Sequence, residues 1–327
     1  MSTMREVAQR AGVSPATVSR VINGQGGYSA PTQNRVEEAI RQLNYQPDSL
    51  ARGLKTTKSH VIGLLARRVS DALASEIMAG VEQEARAQDY AVMLGRTGGD
   101  AELVKGYLRT MRNHRVAGAI LISTTISPEH RAMWGTTRPL ISVAITDKSG
   151  APSVAVDDAK AGYDGTRRLL ELGHRHIGLI AGDASSIHVG AARLHGYQQA
   201  MLQAGLQPLV VRGNYFYESG FKAAKSLLAE DPRLTAIFAL SDEMAAGAVN
   251  ALHSMGISVP DQISVLGFDD TATAKHCWPA LSTVHQPLAE MGAIAVRKVL
   301  HARDLAPQIV AHKIVERQST AEPPRRR

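Results

Sequence analysis

Cysteine is nearly missing: Cys277 stands alone in 327 residues. No intrachain disulfide can form, and the chain reads as a cytoplasmic protein. No apolar run approaches the length of a membrane span, and the longest, around "VAGAILI", suits a buried strand. The opening "MSTMREV" lacks the apolar segment of a secretory signal, and there are no low-complexity tracts. No glycine-rich loop follows a strand in the manner of a phosphate cradle. His174 and His176 lie two apart without a suitably spaced third ligand for zinc. Cys277, beside Trp278, has no assignable base and reads as a packed thiol. With no catalytic constellation visible, metals, cofactors and enzymatic chemistry are set aside in favour of binding. What is present is a chain with 44% apolar residues, long enough for two or three compact units.

Charge is unevenly placed. Residues 1–60 hold eight Lys/Arg against four acids, a net +4, and Arg325, Arg326 and Arg327 add three at the end. The residues between are balanced, with 26 basic and 26 acidic groups. A basic head on a neutral body calls for an anionic partner, nucleic acid first. The arginine tail, 321–327, is expected to be a solvated, disordered end.

The head reads as three short helices. Thr3 and Glu6 fit a capping box for the first, which Gly12 ends. Ser14 is placed to cap the second, and Pro15 at its first position has no N–H bond to lose. Ser29 starts the third, where Val36, Ala39, Ile40 and Leu43 share one face. Val7, Ala8, Ala11, Gly12, Val13, Val18 and Val21 occupy the apolar and small positions of a helix-turn-helix. A helical hairpin capping a larger domain is the plainer alternative. Residues 48–58, "DSLARGLKTTK", form a separate short segment, a frayed helix weakened by Gly53 or a simple linker.

From His60 onward, apolar strand-like runs alternate with amphipathic stretches. Strands are expected at 61–66, 90–95, 117–123, 140–145 and 153–157. A second set falls at 176–182, 208–213, 235–240 and 263–269. Helices are expected at 75–88, 100–113, 159–172, 190–204, 218–229 and 243–255. Continuous apolar strands separated by helices mean parallel sheets covered on both faces. Two such sets predict two α/β lobes, with a ligand cleft where the strand C-terminal ends face each other.

Taken together the chain resembles the lactose-repressor/galactose-repressor (LacI/GalR) family of bacterial transcription regulators, nearest to purine and cytidine repressors. The resemblance is carried in the head by "REVAQRAGVSPATVSRVINGQ" and "RVEEAIRQLNYQPDSLARGLKT". In the body it is carried by "ELGHRHIGLIAG", "RLHGYQQAMLQAGL", "YESGFKAA", "TAIFALSDEMAAGAVNAL", "VPDQISVLGFDD" and "PALSTVHQP". It implies an α/β protein: a helix-turn-helix head at 1–47, a hinge at 48–59, and a two-lobed periplasmic-binding-protein-like body with parallel sheets at 60–320. It further implies a homodimer on palindromic operator DNA, controlled by a sugar, nucleoside or related metabolite held between the lobes. The segment 287–303 would return to the first lobe and 307–320 would rejoin the second. No leucine heptad follows residue 305, so a tetramer-forming tail is not expected. A transport-type solute-binding protein, the alternative function, would explain the body alone.

Residue by residue, the resemblance places Pro15 and Ala16 at the start of the recognition helix, able to pack on a thymine methyl but not to make bidentate base contacts. Arg20 matches a base- or phosphate-contacting position, and Thr17, Ser19 and Asn23 suit phosphate. Leu54 matches a leucine that wedges into the minor groove, with Ala51 beside it and Lys55 near the backbone. For the effector, Arg193, Asp242 and Asp269 match polar ligand positions, and Tyr215 an aromatic one. Two departures stand out. Asp71-Ala72-Leu73-Ala74 replaces a segment that carries two aromatics in relatives, and Ile145 stands where relatives often have arginine. The plainer reading of Arg193 and the aspartates is a set of salt bridges between the lobes.

Overall fold

The computed structural model describes residues 2–22, 24–45, 59–145, 150–182, 189–301 and 305–324. They form two compact units, divided between Ser59 and His60.

Among the described residues, the first unit has three helices: α1 (Met4–Ala11), α2 (Pro15–Ile22) and α3 (Ala30–Gln42). The capping box at its start is present in both directions. Thr3 Oγ1 accepts from the Glu6 N–H at 3.3 Å, and Glu6 Oε2 accepts from the Thr3 N–H at 2.9 Å. Gly12 ends α1 at φ 65°, a left-handed conformation that costs a residue with a Cβ about 1 kcal/mol or more. Ser14 Oγ then accepts the Thr17 N–H at 3.2 Å and starts α2. Val7, Ala8, Ala11, Val18, Val36, Ala39 and Tyr45 close a small core, so the helix spacing read from sequence is the packing that forms.

The second unit begins with β1 (Val61–Ala66), α4 (Ala72–Ala87), β2 (Ala91–Arg96), α5 (Ala101–Asn113), β3 (Ala119–Ile122), α6 (Pro128–Trp134), β4 (Leu140–Val143) and β5 (Ser153–Val156). It continues with α7 (Asp158–Glu171), β6 (Ile177–Ala181), α8 (Val189–Gln203), β7 (Leu209–Arg212), α9 (Tyr217–Glu230), β8 (Ala236–Ala239), α10 (Asp242–Ser254), β9 (Ser264–Asp269), α11 (Ala272–His276) and β10 (Ser282–His285). It ends with α12 (Leu288–His301), β11 (Gln308–Val310) and β12 (Lys313–Val315). Two six-stranded sheets result, ordered β11-β5-β4-β3-β1-β2 and β12-β10-β9-β8-β6-β7. Among the described residues, all pairings are parallel except β12 against β10. Each sheet anchors a lobe, and apolar strands such as Ile62, Leu64, Ile120 and Ile141 in one and Leu179, Ile237 and Val265 in the other are fully buried.

The chain crosses between lobes three times, after β5, after β10 and after β11. The return of 287–303 to the first lobe is seen in α12, whose Leu288, Met291, Ala295 and Val299 join the core beneath α4. The expected rejoining at 307 needs correction. Residues 308–310 still belong to the first sheet, pairing with β5 from Gln308 opposite Val154 to Val310 opposite Val156. They cover an edge whose N–H and C=O groups would otherwise be open, and only β12 reaches the second sheet. The expected disordered tail also begins too early at 321. The Ala321 N–H donates to Ser264 Oγ at 3.0 Å, and its carbonyl accepts from Ser264 and bonds His174 Nε2.

Three helix pairs pack backbone to backbone through reciprocal glycines. A Cβ at Gly162 of α7 would lie 2.2 Å from the Arg193 carbonyl, and one at Gly196 of α8 would lie 2.0 Å from the Ala159 carbonyl. Gly220 and Gly247 do the same for α9 and α10, and Gly80 and Gly292 for α4 and α12. Real side-chain atoms do not approach that closely, so glycine is required there.

Candidate functional site

The C-terminal ends of both sheets face a cleft of about 920 Å³ within the second unit. From the first lobe come Arg67 and Arg68 after β1, Thr97 after β2, Ser123 to Thr125 after β3, and Ala144 and Ile145 after β4. From the second come Asn214, Tyr215 and Phe216 after β7, Ser241 to Glu243 after β8, and Asp269 and Thr271 at the end of β9. This is where parallel α/β sheets bind ligands, because the loops there are free to vary while the strands hold them in place. The size suits a small metabolite.

Arg193 projects from α8 into the second-lobe wall and is 2% exposed. Its Nε donates to Asp158 Oδ1 at 2.8 Å, its Nη1 donates to the Leu240 carbonyl at 3.0 Å, and Asp269 Oδ1 lies 3.5 Å away. The guanidinium carbon also sits over the Phe268 ring, 3.6 Å from its centroid. Burial disfavours its charge, but Asp158 and Asp269 outweigh that and hold it above the ordinary arginine range. Burial pushes the carboxyl of Asp158 up, and that of Asp269 well up, against the pull of Arg193. All these partners belong to the second lobe. The reading of Arg193 as a salt bridge between lobes is therefore corrected: it braces one wall.

Asp242 also turns inward. Its Oδ1 accepts from Thr283 Oγ1 at 2.7 Å, and its Oδ2 accepts from the Thr271 N–H at 2.7 Å and hydroxyl at 3.0 Å. Burial raises its pKa to about 6. Asp242 thus fixes the Thr271 loop that borders the cleft. Tyr215, at φ 69°, lays its ring against Gly182 and Gly190, and its buried hydroxyl has no hydrogen-bond partner. Burial pushes the phenol up, so it stays an O–H donor at neutral pH.

Asp71 caps α4, its Oδ1 accepting from the Leu73 N–H at 3.1 Å. Ala72, Leu73 and Ala74 then give an aliphatic wall, joined by Val104, Ile122 and Ile145. Arg68 reaches from the first lobe onto Phe216 of the second, 3.3 Å above the ring, and so clasps the two. Arg67, Arg68, Asp158 and Phe216 are not among the residues expected from sequence. A signal for the first two existed: an arginine pair directly follows the apolar strand "VIGLLA", at its ligand-facing end.

The histidines are structural. His174 bonds Thr235 Oγ1 at 3.0 Å and the Ala321 carbonyl at 2.9 Å, and His176 pairs with Asp231 at 2.7 Å. Among the described residues no three metal-ligating side chains gather. No helix among them is long and apolar enough to cross a membrane.

In the first unit, Pro15, Ala16, Ser19 and Arg20 fall at i, i+1, i+4 and i+5 on α2, away from the buried Val18. Pro15, Ala16 and Arg20 are exposed, and Thr17 Oγ1 bonds Ser14 Oγ at 3.0 Å. Asn23, Ala51, Leu54 and Lys55 lie outside the described residues.

A helix-turn-helix unit followed by two parallel-sheet lobes around a metabolite-sized cleft defines a class: DNA-binding transcriptional regulators with an effector-binding body. Residues 3–48 match the model of "Bacterial regulatory proteins, lacI family", and residues 166–320 match the "Periplasmic binding protein-like domain". The HTH-type transcriptional repressor PurR of Klebsiella pneumoniae is 35% identical, over 99% of this chain and 98% of its own. Catabolite control protein A of Priestia megaterium is 33% identical, over 97% and 99%. The solved lac repressor dimer, bound to operator and the anti-inducer ONPF, superposes with a TM-score of 0.91 at 29% identity, covering 98% of this chain and 99% of its own. The chain belongs to the lacI family of bacterial regulatory proteins and is a transcriptional repressor with an effector-binding domain. PurR and the ribose operon repressor of Haemophilus influenzae are repressors by name, and a transport-type solute-binding protein would leave residues 3–48 without a role.

Proposed function

We propose that the chain acts in the cytoplasm as a homodimer, without catalytic activity, that closes on palindromic operator DNA and is switched by a small metabolite in the cleft. The layout is a DNA-reading head at 1–47, a hinge at 48–59 and a control body at 60–320. Pro15, Ala16, Thr17, Ser19, Arg20 and Asn23 meet the major groove, with Ala51, Leu54 and Lys55 at the operator centre. Solved relatives include a lac repressor dimer on its operator and a transcriptional regulator CelR–cellobiose complex, which support pairing and a small-molecule signal.

The observation that carries the control reading is the cleft lining. Groups from both sheets face one space, and Arg68 on Phe216 already links the lobes. A ligand touching both lobes favours one angle between them, and only its difference in affinity for the two angles can shift their populations. Tyr215 is the direct polar contact on the second lobe, while Arg193, Asp242 and Asp269 hold that wall in shape. The test is operator titration of the full chain with and without each compound that raises its melting temperature. A cleft ligand should change operator affinity by about 5-fold to 150-fold, the usual range of such coupling. Ligands that bind without changing operator affinity overturn the reading.

A further inference from the structure

Almost every charged group of the cleft has a counter-charge or its hydrogen bonds already. Asp242 is satisfied by Thr271 and Thr283, and Asp269 accepts from Gln286 at 2.7 Å beside Arg193. Glu129 is held by Lys105 at 2.6 Å, Glu243 accepts from Thr273 at 2.6 Å, and Asp71 caps α4 next to Arg68. Arg193 is neutralised by Asp158 and Asp269.

Arg68 lies on the Phe216 ring without a hydrogen bond of its own, and two further donors among the described residues, one on each lobe, also lack an acceptor. The Arg67 guanidinium, resting against Gly99, has neither ion pair nor hydrogen bond among the described residues. The Tyr215 hydroxyl is buried without a partner, and the Arg67 charge acts on it across the cleft. Both groups donate and a guanidinium cannot accept, so what completes them must bring acceptor oxygens, and beside Arg67 a negative charge. The walls narrow the choice. The first-lobe wall of Leu73, Val104 and Ile145 offers no ring to stack on, one Phe216 face is covered by Arg68, and the Tyr215 ring is packed against Gly182 and Gly190. The hydroxyls of Ser123 and Thr125 suit a polyol, whereas those of Thr97 and Ser127 already hydrogen-bond within the first lobe.

We propose that the effector is a small, non-aromatic, hydroxylated organic anion whose carboxylate or phosphate is held by Arg67 while Tyr215 donates to it from the opposite lobe. This rests on the reading of the cleft as the effector site.

The test uses matched probes at fixed ionic strength: gluconate against glucose, and ribose 5-phosphate against ribose. Binding to the full-length protein is measured by calorimetry, and the two pairs separate carboxylate from phosphate. At least one anion should bind about tenfold or more tightly than its neutral twin, from the strength of a charge-assisted hydrogen bond. Arg67→Gln should abolish that advantage, Arg67→Lys should restore part of it, and Tyr215→Phe should weaken the anion about fivefold or more. Arg86→Gln, which removes an exposed charge from α4, should leave it unchanged. Ligand-free melting curves establish that each variant is folded. The proposal is overturned if neither anion outbinds its twin, or if Arg67→Gln binds the anion as wild type does. A neutral sugar that binds the cleft and moves operator affinity removes the anion and keeps the effector reading. An anion that needs Arg67 but leaves operator affinity unmoved keeps the site and removes its regulatory role.

Discussion

Removing Arg193 strands two carboxylates, Asp158 and Asp269, inside the protein without their counter-charge. Breaking one partner out of a buried ionic group typically costs about 3–5 kcal/mol. Arg193→Ala should therefore lower unfolding stability by roughly that amount in urea titrations of the full chain, and its loss of ligand response would report a collapsed wall. Asp242 makes a second residue-scale prediction. Its pKa rises from an ordinary 3.8 to about 6 on folding, so the folded state holds the proton more tightly. The stability it contributes is full below about pH 4 and falls as pH rises to about 6, by about 3 kcal/mol. The stability difference between wild type and Asp242→Asn should shrink or reverse over that window, and a flat difference would mean the carboxylate stays ionised throughout. The sequence marks Arg193, Asp242 and Asp269 as cleft residues. It does not say that Asp158 shares Arg193, because their meeting depends on how α7 and α8 cross.

At the scale of elements, that crossing is set by Gly162 and Gly196. Gly196→Ala would press a methyl group into the Ala159 carbonyl and force α7 and α8 apart. Overpacking of this kind costs about 1–3 kcal/mol, occasionally more. Because the Arg193 backbone is the surface that Gly162 touches, Gly162→Ala should lower the melting temperature and weaken effector binding together, and an unchanged melting temperature would show that the helices can adjust. Elements of this kind were legible in outline. The alternating apolar strands from 61–66 to 263–269 and the longer helices between them follow from periodicity, and the caps at Thr3 and Ser14 from residue type. The short strands β10 to β12 and helices α6 and α11 were not, since three to seven residues carry too little pattern to be told from loop. The glycine pairs were also hidden, because a close approach between helices far apart in sequence leaves no local mark.

For the whole molecule, charge is the quantity that matters. The net +4 of residues 1–60 doubles in a dimer and meets a polyanion, so operator affinity should fall steeply as salt rises, by counterion release. A filter-binding or anisotropy series from about 50 to 200 mM salt should show a loss of orders of magnitude, and a full palindrome should bind far more tightly than a half-site. A flat salt response or equal affinity for half and whole sites would contradict a symmetric, phosphate-led complex. The neutral body should contribute little to that slope, which makes the measurement a reading of the head.

The first lobe is not continuous in the chain: β1 to β5 lie before residue 157, yet α12 and the edge strand β11 arrive only at 288–310. On the ribosome, the face that α12 covers and the open edge of β5 must wait, exposed, until residues 288–310 have been made. The head needs nothing later than Tyr45 for its own core. A nascent or prematurely terminated chain therefore carries a finished DNA-reading surface on an unfinished control body. Stop codons just before Leu288 should be as damaging as those well upstream, and should leave products whose head no metabolite can govern.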